Sequence, residues 1–173
     1  WPGITQQITS FVQRCHNCAS NAKAPIKEVL HPWPIPNKPW QRLHIDFAGP
    51  IGPNYFLIVI DAHSNWPEIA RMHSTTTDQT CKALADIFSR WGICRTIVSD
   101  NGPQFVARAF EEFCSSNGIE HVTSAPYHPQ SNGRAEKFVD TMKRGLKKLE
   151  GEGDIDEKLR IFLSTYRSTP CSA

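Results

Sequence analysis

The sequence predicts an α/β fold, a mixed sheet of five strands flanked by helices. Three observations predict it. Leu43, Ile45 and Phe47 alternate with His44, Asp46 and Ala48, which is the period of a strand. Phe56 to Ile60 is an unbroken apolar run, as in a strand buried on both faces. Further along, apolar stripes at helical spacing alternate with short strand-like runs, the pattern of helices laid over a sheet.

The elements follow in order. Ile4, Ile8, Phe11 and Val12 predict a short helix leading into Cys15-His16-Asn17-Cys18. The stretch His31 to Trp40 packs four prolines into eight residues, so it reads as an extended linker. The expected division is a small module over residues 1–30, a linker over 31–40 and a main domain over 41–173. Strands are expected over residues 43–48, 55–61 and 65–72, the third begun by Pro67. A helix is expected from Thr77, capped by that hydroxyl. Leu84, Ile87, Phe88 and Trp91 form its apolar stripe, and Gly92 ends it. Cys94 to Ser99 predicts a fourth strand, stopping at Asp100. Val106, Phe110 and Phe113 mark one helix closed near Gly118, and Ile119 to Thr123 a fifth strand. Ala125 to Gly133 is rich in Pro, Ser, Asn and Gly, and is therefore a loop. Arg134 to Glu150 is amphipathic. Phe138, Val139, Met142, Leu146 and Leu149 share one side, and Glu136, Asp140, Lys143 and Lys147 line another. A last helix, Ile155 to Tyr166, buries Leu159, Phe162, Leu163 and Tyr166.

Composition narrows the function classes. With 173 residues and 39% hydrophobic content, the chain can bury a real core. Its longest apolar run is far too short for a membrane span, and residues 1 to 30 lack a signal-peptide pattern. No membrane partner is expected. The chain begins with Trp1 rather than Met and reads as a piece of something longer. Residues 134–148 carry six Lys or Arg against Glu136 and Asp140, a basic face suited to phosphates, although a merely solvated helix face has the same signature. Of the six cysteines, Cys81, Cys94 and Cys114 lie in apolar settings as small buried hydrophobes. Only Cys15 and Cys18 have ligand-like spacing, and the absence of secretion signals favours a reducing compartment.

Three acids carry the chemistry: Asp46 in a strand, Asp100 at the end of another, and Glu136 in the first turns of a helix. Asp is disfavoured inside strands, and its burial costs several kcal/mol unless it is paired or metal-bound. In sheets covered by helices, ligands gather at strand ends such as that of Asp100. Carboxylate oxygens suit hard divalent cations, Mg²⁺ or Mn²⁺, and two such ions can run an in-line phosphoryl displacement. Taken singly, each acid also has an ordinary reading as a turn, an edge residue or a dipole-compensating surface acid. Together they point to a metal-dependent phosphoryl transferase acting on nucleic acid. Nearby, Tyr127 can stack on a base or bond a phosphate, and Lys143 and Lys147 share the Glu136 side of the helix.

The strings around these acids resemble those of integrases of retroviruses and gypsy-type long-terminal-repeat retrotransposons. The resemblance rests on His44-Ile45-Asp46, on Val98-Ser99-Asp100-Asn101-Gly102-Pro103-Gln104-Phe105, on Tyr127-His128-Pro129-Gln130-Ser131-Asn132-Gly133-Arg134-Ala135-Glu136, and on Tyr166-Arg167-Ser168-Thr169-Pro170. The last two acids are separated by 35 residues. The resemblance implies an RNase H-like fold for the main domain, with Asp46, Asp100 and Glu136 as catalytic ligands of Mg²⁺ or Mn²⁺. It implies 3′-end processing of element DNA and strand transfer into target DNA. It also implies DNA contacts by Tyr127, Gln130, Asn132 and Lys143, a homo-oligomer, and action in the nucleus after a cytoplasmic phase; Asn101 and Lys147 are further expected DNA contacts. Cys15 and Cys18 match the cysteine half of the family's amino-terminal zinc module, whose two histidines would lie upstream of Trp1; Zn²⁺ is expected only with them. Two other readings keep part of this logic. One is an integrase-derived nucleic-acid or protein-binding module without catalysis. The other is an RNase H-type nuclease that cleaves RNA in hybrids and joins no DNA ends.

Overall fold

The computed structural model describes residues 1–14, 33–124 and 132–169. The chain divides into two compact units, Trp1–Pro32 and Trp33–Ala173. In the first, the described part is one helix, α1 (Ile4–Arg14), as its apolar spacing predicts. Cys15 and Cys18 lie outside the described residues.

The second unit is built on one five-stranded sheet. β1 (Arg42–Ile51), β2 (Asn54–Asp61) and β3 (Pro67–Met72) form an antiparallel meander. β4 (Thr96–Ser99) and β5 (Glu120–Thr123) add to it in parallel, giving the order β3-β2-β1-β4-β5. β1 is therefore central, and β3, which opens with proline, lies at an edge where a missing N–H is tolerated. Asp61 shapes the turn into β3. Its carboxylate accepts from the amides of Trp40, His63 and Ser64 and from the Ser64 hydroxyl.

Among its described residues this unit has five helices: α2 (Thr77–Trp91), α3 (Pro103–Val106), α4 (Arg108–Ser116), α5 (Gly133–Lys148) and α6 (Ile155–Ser168). The two faces of β1 divide the core. Leu43 and Ile45 pack with Leu57, Val59, Leu84, Ile87, Phe105 and Phe110 on one side. Ala48 packs with Phe56, Ile58, Phe138, Met142 and Phe162 on the other. Each fully buried large apolar side chain contributes about 1.5–3 kcal/mol, so both layers are needed. The continuous run Phe56 to Ile60 is buried throughout because it serves both.

Two expectations change in detail. The Thr77 hydroxyl does not cap α2; it donates to the Gln104 carbonyl, and Thr76 holds the cap position. The single helix expected around Val106 is two, broken at Ala107, whose backbone is extended. Val106 is consequently 56% exposed and Phe105 takes the core position. The thiols of Cys94 and Cys114 are buried and pushed up to about 12 by desolvation, as small core groups should be.

Gly145 of α5 faces Phe162 of α6, and a Cβ there would lie 2.6 Å from Phe162 Cε2. Gly145→Ala is expected to lower the chemical-denaturation midpoint. Overpacking of about 1–3 kcal/mol outweighs the roughly 1 kcal/mol gain in helix propensity. Adding Phe162→Leu should recover part of the loss.

Candidate active site

Asp46 lies in the middle of the central strand, on the side covered by α5. Its carboxylate is partly buried and accepts from the Phe47 amide at 2.7 Å. Asp100 follows the last residue of β4. The parallel register pairs Arg42 with Thr96, Leu43 with Ile97 and His44 with Val98. Carried two residues further, the same offset points Asp100 toward Asp46, and the two charges act on one another. The Asp100 carboxylate accepts from the Gly102 amide at 3.0 Å, closing a turn. A Cβ on Gly102 would come within 3.0 Å of that same carboxylate oxygen, so glycine lets the turn close. Glu136 stands in the first turn of α5 and is exposed.

The three acids share one electrostatic field. The Asp46 pKa is raised to about 6, by burial first and then by the charges of Asp100 and Glu136, against the opposing pull of the Phe47 amide and Lys143. Burial and the Asp100 charge also raise the pKa of Glu136. Among the described residues, however, no group of three or more His, Cys, Asp or Glu is close enough to grip a metal ion. The physical reason is plain. Like charges without a counter-ion repel, and Asp46 and Asp100 each satisfy a carboxylate oxygen with a local amide. The donor chemistry, oxygen ligands from three separate elements, suits Mg²⁺ or Mn²⁺.

The other expected site residues fall into different places. Lys143 and Lys147 are exposed on α5, with Lys143 near enough to Asp46 to act on its ionisation. Asn101 is exposed, and its amide donates to the Ser124 carbonyl at 2.7 Å, joining the ends of β4 and β5. Tyr127 and Gln130 lie outside the described residues. Asn132, expected at the DNA, is 0% exposed. Its amide nitrogen donates to the Ile45 carbonyl at 2.8 Å, and its oxygen lies 3.3 Å from His44 Nδ1. In this structure it is an internal tether. The sequence reading overlooked His44, although its place two residues before Asp46 puts both on one face of the strand. His44 is buried, and desolvation with the charges of Arg42 and Arg134 lowers its pKa to about 4.

With this geometry in hand, comparison with known proteins is informative. Residues 36–129, more than half of the chain, match the family model of the integrase core domain. The chain belongs to that family. The match includes Asp46 and Asp100 and stops short of Glu136. An uncharacterized protein of Caenorhabditis elegans is 47% identical over 174 residues, covering 100% of this chain and 14% of the relative. The Gag-Pol polyprotein of Walleye dermal sarcoma virus is 30% identical over 175 residues, covering 98% of this chain and 10% of the polyprotein. The integrase core described here thus spans a small part of either relative. Among solved structures, a simian T-cell lymphotropic virus intasome in complex with PP2A regulatory subunit B56 gamma superposes with a TM-score of 0.78 at 21% identity, covering 98% of this chain and 63% of that one. The HTLV-2 integrase catalytic core in complex with magnesium, in dimeric form, gives 0.60 at 22% identity over 75% of this chain and 86% of that one. The fold is RNase H-like, that of integrase catalytic cores.

Two titrations test the shared field. In metal-free protein, the Asp46 carboxyl is expected to titrate near pH 6 by carbon-detected NMR, and Asp100→Asn should move its midpoint down. A raised carboxyl pKa means that the folded chain binds the extra proton. The stabilising share of Asp46 is therefore full below about pH 4 and is lost as pH rises towards about 6. His44 has the opposite sign, because its depressed pKa removes stability as pH falls towards about 4. Comparing wild type with Asp46→Asn isolates the first effect. The wild-type melting temperature should fall relative to the variant between those pH values, and a constant difference would refute the raised pKa.

Proposed function

We propose that this integrase core is the catalytic part of a retroelement DNA integrase, a polynucleotidyl transferase that processes 3′ ends of element DNA and transfers them into target DNA. The observation that carries the proposal is the common field of Asp46, Asp100 and Glu136, three acids from three elements of an integrase-core fold. Asp46, Asp100 and Glu136 would hold Mg²⁺ or Mn²⁺. Bound there, such ions supply activation of the attacking hydroxyl and stabilisation of the leaving oxygen. The raised pKa of Asp46 comes from burial first and from the charges of Asp100 and Glu136 second, and a bound cation would offset both. A related core, that of HTLV-2 integrase, was solved with magnesium, which supports the same ligand chemistry here.

The chain's own groups do the positioning. Lys143 and Lys147 project from the exposed side of α5 and would pair with DNA phosphates. Tyr127, Gln130 and Asn101 would contact DNA next to the acids. Intasome and dimeric structures among the neighbours support DNA and further copies of the chain as partners; element ends and target DNA would be that DNA, and the nucleus would be the place of action. Cys15 and Cys18 would complete a Zn²⁺ site with two histidines from an upstream segment.

A second reading, a nucleic-acid or protein-binding module without catalysis, is favoured by one observation: the acids do not form a closed ligand set among the described residues. Two experiments separate the readings. Asp46→Asn in the full-length protein is expected to reduce strand transfer on the order of a thousandfold, a loss of about 4 kcal/mol of transition-state stabilisation. Near-normal transfer by that variant would end the catalytic assignment. Millimolar Mn²⁺ should raise the melting temperature of wild type and leave Asp46→Asn unmoved; no shift in either would favour the binding module. For DNA, Lys143→Ala and Lys147→Ala are each expected to reduce the slope of log affinity against log salt by about one, measured by fluorescence anisotropy.

A further inference from the structure

We propose that His44 and Asn132 form a buried lock that positions Glu136 against Asp46. Neither residue touches reacting atoms; both act through the strand and the helix that carry the acids. The inference rests on reading those acids as the metal-binding site.

Asn132 occupies the residue immediately before α5, where asparagine ordinarily accepts from the helix's own first amides. Here it makes no such cap. Its side chain turns to the sheet instead, fully buried, and donates to the carbonyl of Ile45 at 2.8 Å. That bond fixes which end of the amide is nitrogen. The oxygen then faces His44 Nδ1 at 3.3 Å, so Nδ1 must carry the hydrogen and donate. The other ring nitrogen of His44 is buried and has no hydrogen-bond partner among the described residues. Among those residues Asn132 is therefore the one hydrogen-bonded tether of this ring, and the ring and the Ile45 carbonyl together hold Asn132.

The placement gives the lock its purpose. His44 and Ile45 directly precede Asp46 on the central strand, and Asn132 stands one helical turn before Glu136. Two bonds thus pin the start of α5 to the strand beside Asp46. An N-terminal helical turn frays readily, because its amides lack internal partners. Two acids on separate elements, repelling each other, need such a brace to stay within reach of one ion.

Hydrogen exchange and Mn²⁺ binding test the lock on the full-length protein. The amides of Lys137 to Asp140 are the first that α5 bonds internally, and they report its opening. Without metal, His44→Ala and Asn132→Ala are each expected to speed their exchange about tenfold, and the double variant no more than either alone. His44→Gln, which keeps a donor facing Asn132, should restore protection, and His44→Leu, which fills space without a donor, should not. That pair keeps the test sound if His44→Ala fails to fold. Mn²⁺ affinity should fall about tenfold with His44→Leu and recover with His44→Gln. Unchanged exchange, additive effects, or equal behaviour of the Gln and Leu variants would overturn the lock. Absence of Mn²⁺ binding by wild type would overturn the reading of the acids instead, while coupled exchange would still uphold the tether between strand and helix.

Discussion

Asp46 is a carboxylate set into the middle of a central strand, flanked by a second acid across the sheet and a third from the helix above. Ionisation there is opposed by desolvation and by two like charges. The fold accepts this strain at one point and organises the surroundings about it. Lys143 comes from the same helix as Glu136, so one element brings both a like charge and the cation that partly offsets it. An apolar residue at position 46 would leave no cost and no field.

The rest of the sheet is ordinary packing that holds this arrangement in place. One apolar layer, under α2 and α4, fixes the inward residues Leu43 and Ile45 of β1. The other, under α5 and α6, leaves the polar end of the opposite face to His44 and Asp46. α6 is fastened to the sheet edge by Arg167, which bonds the Pro67 carbonyl and the Glu68 carboxylate and lies 4.1 Å from the Trp66 ring centroid. Arg90 reaches the same carboxylate from α2, so Glu68 joins helices from both faces at that edge. α5 and α6 approach closely at Gly145, where the Phe162 ring takes the space a Cβ would fill.

Much of this was legible beforehand. Strand alternation at Leu43 to Ala48, the double-sided run at Phe56 to Ile60 and the helical stripe at Phe138 to Leu149 all depend on local period, which sequence displays directly. The break at Ala107 was not legible, because Val106 and Phe105 are both apolar and only packing chooses between them. The burial of Asn132 was not legible for a related reason. An exposed loop amide and a buried tether have identical local sequence, and the difference lies in whether His44 and Ile45 stand opposite.

What the sequence determined by itself is the list of parts: which segments become strands and helices, which acids interrupt them, and which face of α5 is charged. Local periodicity and residue chemistry suffice for that. Tertiary structure alone decided the register that points Asp100 toward Asp46, the burial that lifts the Asp46 pKa, and the inward turn of Asn132 onto His44 and Ile45. Those are relations between residues tens of positions apart. They arise only when the strands pair and the helix docks, because distance and desolvation belong to the assembled sheet and not to any segment of it.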